Sequence, residues 1–161
     1  MKVEKLMSSS IWACTPDATL DQAVRLMEEH DCGWLPVVPG RGRYHVVGVI
    51  TDRDICLAAH HLGTSLKKVH VREVMTVDVV TCSTQDETST ACARMRRSQV
   101  RRLPVVDEEG QLAGLLTLAH LARASGERAS FGVTAKDVAK TLASIAKPSA
   151  APLRTATAWG T

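Results

Sequence analysis

The chain carries the same plan twice, and that repetition limits what it can fold into more than any other feature. Leu6-Met7-Ser8 corresponds to Val74-Met75-Thr76, Cys14-Thr15 to Cys82-Ser83, Ala23 to Ala91 and Met27 to Met95. Leu35-Pro36-Val37-Val38 returns as Leu103-Pro104-Val105-Val106, all at an offset of 68. Past the next turn the offset falls to 66, so that Gly48 and Thr51 match Gly114 and Thr117. A length change confined to a polar turn is what a structural repeat tolerates. Each copy is too small to bury its own apolar faces well, so two copies related by a pseudo-twofold are expected to share a core and leave clefts between them.

Within each copy the pattern predicts strand, helix, strand, strand, helix, an α/β plan of β-α-β-β-α run twice. The first strands are expected at Ile11 to Cys14 and Val79 to Cys82. Leu20, Ala23, Val24 and Met27 then recur at helical spacing, and Thr19 with Gln22 has the form of a capping box. Leu35 to Val38 reads as a buried strand. The turns Pro39-Gly40-Arg41-Gly42 and Asp107-Glu108-Glu109-Gly110 return the chain into second strands at Val46 to Ile50 and Leu112 to Leu116. Closing helices follow at Asp52 to His61 and Ala119 to Ser125. The boundaries predicted are a first motif over 1–62, a linker over 63–70, a second motif over 71–126, a helical appendage over 127–148 and a flexible tail over 149–161. In the appendage Val138, Leu142 and Ile145 fall at helical spacing in Thr134 to Lys147, with Pro148 as the stop and Trp159 isolated beyond it.

Composition narrows the function classes. Of 161 residues 45% are hydrophobic but only 3% aromatic, so the core must be aliphatic. The net charge of +3 demands no nucleic-acid partner. No apolar run approaches the roughly 18 residues of a membrane span, and the N-terminus lacks a signal-peptide stretch, so the expectation is a cytoplasmic chain with no membrane contact. The five cysteines show no C-x-x-C spacing. Cys56 and His60, with His61 beside them, share a helix face, but structural zinc takes four ligands and no second cluster is visible, so no metal is assigned. No nucleophile with its base and no Gly-rich phosphate loop has convincing spacing; His45, His60, His61 and His70 have no carboxylate partner identifiable from sequence. The chain reads as no enzyme.

Met-Ser or Met-Thr before the first strand, Leu-Pro-Val-Val in the middle and Gly48-x-x-Thr51-x-x-Asp54 after the last strand together resemble the CBS motif, which is named after cystathionine β-synthase and also occurs in IMP dehydrogenase and the γ subunits of AMP-activated kinase. The likeness spans residues 3–125 and is to a stand-alone, bacterial-type CBS pair, or Bateman module. It implies a regulatory module that usually dimerises into a disc and binds an adenosine-containing ligand such as AMP, ADP, ATP, S-adenosylmethionine or NAD, with no obligatory cofactor.

The resemblance also implies roles for particular residues. Asp54 stands where the family places the carboxylate that holds the ribose diol; Thr51 can offer its hydroxyl to the sugar or α-phosphate, and Arg53 can reach a phosphate. The residues alone leave another reading open, in which Thr51 caps the helix and Asp54 favours its positive end. A family cleft takes its acid from one repeat and its walls from the other, so Thr51, Arg53 and Asp54 are expected to combine with Val79, Val80, Val100, Arg101, Arg102 and Pro104. Guanidinium groups suit phosphate oxygens through their planar fork of donors. The second copy departs from the pattern, with His120 in place of the acid and alanine in place of Arg53. Its cleft, formed by Ile11, Trp12, Gly33, Trp34, Thr117 and His120, is expected to be degenerate, with Trp12 or Trp34 either partly filling it or serving as plain core or dimer-interface tryptophans.

The expected function is therefore energy or metabolite sensing by a homodimer, in which ligand shifts the arrangement of the halves or of the dimer and a separate effector protein, unidentified, reads the change. A CBS pair that has lost its ligand and serves as a dimerisation or interaction scaffold is the alternative. Nucleic-acid binding through Arg94, Arg96, Arg97, Arg101 and Arg102 is the lesser rival.

Overall fold

The structure is a computed structural model that describes residues 1–42, 44–127 and 132–147. Pro148 and the tail expected at 149–161, with Trp159, lie outside the described residues. The first repeat contributes α1 (Leu20–Glu29), β1 (Trp34–Val37), β2 (Gly48–Thr51) and α2 (Asp52–Leu62). The second contributes β3 (Cys82–Ser83), α3 (Thr88–Ser98), β4 (Arg102–Val106), β5 (Leu112–Thr117) and α4 (Leu118–Glu127), and α5 (Ala135–Ile145) follows. Strand β1 pairs antiparallel with β2, while β4 pairs parallel with β3 and antiparallel with β5.

Local chemistry sets the helix starts. Thr19 accepts from the Gln22 N–H while the Gln22 side chain accepts from the Thr19 N–H, the reciprocal box expected there. Leu20, Ala23 and Met27 are buried, whereas Val24 lies at the edge of that face and is 36% exposed. Helix α2 ends at Gly63, whose φ of 56° is the left-handed conformation that closes a helix at least cost in glycine.

The expected first strands are the main correction. Of Ile11 to Cys14, only Cys14 bridges the sheet, to Val37; of Val79 to Cys82, only Cys82 lies in β3, which continues to Ser83. The residues before Cys82 do not run along β4: Val79 and Val80 instead line a cavity. The second strand of the first repeat is also shorter than expected, starting at Gly48 rather than Val46, although the Val47 N–H donates to the Val37 carbonyl at 2.9 Å.

The repeats exchange their leading segments. Val3 is fully buried in the second repeat's core with Leu103, Leu116 and Leu121, and Leu6 and Met7 pack there too. Reciprocally, Val69 and Val71 are buried in the first repeat's core with Leu20, Leu35 and Ile50, joined by Val74 and Met75. Ser8 bridges Leu115 on β5, and Thr76 bridges Val49 on β2. The glycine of each Gly-x-x-Thr stretch makes this exchange possible: a Cβ on Gly48 would stand 2.6 Å from the Met75 Sδ and 3.2 Å from the Thr76 carbonyl, and Gly114 meets Met7 and Ser8 in the same way. The two halves are thus laced into one body.

Helix α5 packs on α3 and α4 of the second repeat. Val138 and Ile145 pack on its core, Thr141 is fully buried, and Arg96 on α3 donates to the Thr141 hydroxyl at 3.1 Å. Cys14 and Cys82 sit in the two cores, where burial pushes their thiols up to about 11 and about 12, so neither is a ready nucleophile.

Candidate functional site

The strand-to-helix turn between β2 and α2 holds a compact polar pair. The Asp54 Oδ2 accepts from the Thr51 hydroxyl at 2.6 Å and from the Thr51 N–H at 2.9 Å, while the Asp54 N–H donates back to the Thr51 Oγ1 at 3.2 Å. This is a complete capping box, and it leaves the other carboxylate oxygen, Oδ1, without a bond in the pair. Arg53 is exposed between them, its N–H donating to the Asp52 side chain at 2.7 Å.

Beside this turn lies a cleft of about 540 Å³ built from both repeats. From the first come Trp34, Val49 and Thr51; from the second come Val79, Val80, Val100, Arg101, Arg102 and Pro104, together with Thr76, Asp78 and Ser98. Seven of the nine residues expected at the site meet here; Arg53 and Asp54 are not part of the lining, and Asp54 touches it through Thr51. Sequence reasoning missed Val49, Thr76, Asp78 and Ser98. Val49 had a signal, since it shares a strand face with Thr51 at a spacing of two, and Thr76 pairs directly with Val49.

Of the six residues expected in the second cleft, only Gly33 and Thr117 line a common cavity. Trp34 lines the first cleft instead, while Gly33 and Thr117 face a different cavity of about 640 Å³ that also reaches α5. Trp12 stacks flat on His30, with ring centroids 3.6 Å apart and planes 2° from parallel. These two side chains stand at the repeat positions of Val80 and Ser98, which in the first cleft line open space. Ile11 and His120 line none of the described cavities. His120 does the capping work of Asp54: its Nδ1 accepts from the Thr117 N–H at 3.3 Å, and its own N–H donates to the Thr117 hydroxyl at 3.1 Å. Burial holds the imidazole below the ordinary histidine range, with the Arg123 charge adding to the effect.

The arginine cluster divides by use. Arg94 forms an ion pair with Asp86 at 2.7 Å and donates to the Thr81 carbonyl, and Arg96 anchors α5. Among the described residues no ion pair is formed by Arg101 or Arg102, so neither guanidinium is tied up, although Asp78 shares the lining of the cleft. His70, for which sequence offered no acid, lies 3.3 Å from the Glu73 carboxylate. Among the described residues no three His, Cys, Asp or Glu side chains are grouped to hold a metal, and no helix is long and apolar enough to cross a membrane.

The comparisons identify the family. The CBS domain model matches residues 3–61 and 71–127, and the chain belongs to the CBS domain family as a tandem pair. It is similar to the CBS domain-containing protein YhcV of Bacillus subtilis, 32% identical over 82% of this chain and 92% of that protein. It is 34% identical to the inosine-5'-monophosphate dehydrogenase of Methanocaldococcus jannaschii over 73% of this chain, but spans only 22% of that enzyme. Among solved structures, CBSX2 in complex with AMP is 27% identical, with a TM-score of 0.65 over 76% of this chain and 94% of that one.

Proposed function

We propose that the chain is a regulatory CBS pair that binds one adenosine-containing ligand in the 540 Å³ cleft and works through binding rather than catalysis. The observation that carries this reading is the meeting, in one cavity shared by both repeats, of an apolar wall, a threonine–carboxylate turn and two arginines without ion pairs. Val79, Val80, Val100 and Pro104 offer the apolar surface an adenine ring needs. Thr51 and Asp54 offer the hydroxyl and free carboxylate oxygen for a ribose diol, while Arg101 and Arg102, with Arg53 on the adjoining turn, supply the phosphate end. The AMP bound by CBSX2, on the same fold, supports the adenosine class. AMP, ADP, ATP, S-adenosylmethionine and NAD remain the candidates. Binding between repeats stabilises one arrangement of the halves, or of a homodimer, and a cytoplasmic effector protein responds to the difference.

A ligand-free scaffold is the second reading, and one observation favours it. Thr134 and Asp137 form the same capping box at α5, with the same 2.6 Å hydroxyl-to-carboxylate bond, where none of the expected ligand residues stands. A thermal-shift titration with the five candidates, beside Asp54→Ala, separates the two. The readout is the ligand-induced increment, because losing the cap lowers the starting Tm by itself. A ligand at a hundred times its dissociation constant stabilises by about 2.7 kcal/mol. An increment abolished in the variant supports the sensor; no increment from any candidate leaves the scaffold.

A further inference from the structure

We propose that Asp78 sets the base preference of the cleft, its carboxylate accepting a hydrogen bond from the exocyclic amine of an adenine and turning away a purine that carries a carbonyl there. The inference rests on the adenosine-binding reading above and adds the residue that tells one purine from another. Asp78 lines the 540 Å³ cleft and, among the described residues, takes part in no ion pair. The fold does not call for an acid at this place. Thr76 exchanges two backbone bonds of 2.9 Å with Val49 on β2, and Ser8 makes the matching bridge to Leu115 on β5. Two residues beyond these bridges the second repeat carries Asp78 and the first carries Ser10. The carboxylate is thus a property of this cleft rather than of the repeat.

The two ends of the cleft differ. The Leu118 N–H donates to the Arg101 carbonyl at 2.9 Å and Arg102 pairs with Thr117, which ties the arginines to the start of α4. They share the 640 Å³ cavity with Asp52, the first residue of α2, so Thr51 and both arginines lie at the end where α2 and α4 begin. Asp78 does not line that cavity. The bridge from Thr76 to β2 is antiparallel, so the chain leaves Thr76 in the direction of Gly48 and away from Thr51. The Val79 N–H then donates to the Val77 carbonyl at 3.0 Å, a tight turn with Asp78 at its corner. A nucleotide with its phosphate at the arginines and its ribose at Asp54 therefore directs its base toward Asp78. An ionised carboxylate accepts hydrogen bonds and cannot donate them. Adenine presents an amine where guanine and hypoxanthine present a carbonyl, so adenine alone is matched in this pose.

Calorimetric titration of the full chain with AMP, IMP and GMP tests the assignment, beside Asp78→Asn and Asp78→Ser. The parent is expected to bind AMP by about tenfold or more over IMP and GMP, the scale of one hydrogen bond to a charged group. An amide donates as well as accepts, so in Asp78→Asn the preference is expected to fall to about threefold or less. Asp78→Ser, which installs the residue of the other half, is expected to lose the preference while the Tm of the free chain stays unchanged. Equal tightening of AMP, IMP and GMP in both variants would mean that the carboxylate only offsets the arginine charge, and overturns the assignment while leaving the nucleotide cleft standing. A parent that binds IMP or GMP as tightly as AMP overturns it in the same way. A chain that binds none of these nucleotides overturns the assignment and counts against the adenosine reading itself.

Discussion

The two halves of the tandem repeat follow one plan and differ in the side chains at their cleft positions. Where one half has Val80, Ser98 and a pair of arginines, the repeat positions of the other carry Trp12, His30, Gly33 and Trp34; where one has a carboxylate on its turn, the other has His120. Both turns keep the capping box, so the substitution of Asp by His preserves the helix start and changes only what the turn offers a ligand. Trp12 and His30 stack on each other at the repeat positions of Val80 and Ser98, which line the cavity in the other half. Folding has thus constrained the two halves alike, while the clefts have been free to diverge.

If the halves are equivalent as structure, the same lesion should cost the same in each. Gly48→Ala and Gly114→Ala force a methyl into an exchanged methionine and the carbonyl behind it, and the carbonyl cannot swing away. Each is expected to destabilise by about 1–3 kcal/mol in urea unfolding, with Met75→Ala or Met7→Ala recovering part of the loss. Unequal costs would mean that the lacing of the repeats is not symmetric. Ligand affinity should break the equivalence. Asp54→Ala is expected to weaken binding by about tenfold or more, the scale of one hydrogen bond to a charged group, while His120→Ala leaves it unchanged in calorimetry. Replacing Trp12 by valine, His30 by serine and His120 by aspartate gives the second cleft the first one's residues at those positions. The expected result is a rise from one ligand per chain toward two, the new site weaker for want of arginines.

The repeat, the strand order and the helix starts were legible because they depend on local chemistry: apolar period, capping residues and turn glycines. The exchange of leading segments was not, since Met7 and Gly114 are far apart in sequence and their fit appears only when the two repeats are laid together. The same limit explains the site. Val79, Val100 and Pro104 could be named by their place in a motif, but Trp34 was assigned to the wrong cleft and Asp78 was missed, because which cleft a side chain enters is decided by how the halves cross. Alternation along β2 pointed to Val49; no pattern pointed to Ser98. The strands before Cys14 and Cys82 were over-read for a related reason: an apolar run beside a cavity looks in sequence like one beside a strand.

The smallest expected difference between the halves is in their response to acid. Burial and the Arg123 charge oppose the charging of His120 in the folded chain, and its Nδ1 must stay unprotonated to accept from Thr117. Its proton affinity when folded is therefore lower than in the unfolded chain, where it titrates near about 6.5. Above that pH both states hold the neutral ring and the group adds no pH dependence. As pH falls below it the unfolded chain takes up the proton first, so stability declines until the folded-state value is passed. Solvent screens a half-exposed group, and the loss should stay under about 1 kcal/mol. His120→Gln keeps the cap, since Gln22 performs the same service at α1, and removes the titration. Subtracting the variant's urea stability from the parent's between neutral and mildly acid pH should leave a curve that falls only on the acid side. A flat difference would mean that the imidazole accepts its proton in the fold as readily as outside it, and that the second turn is held by something other than this cap.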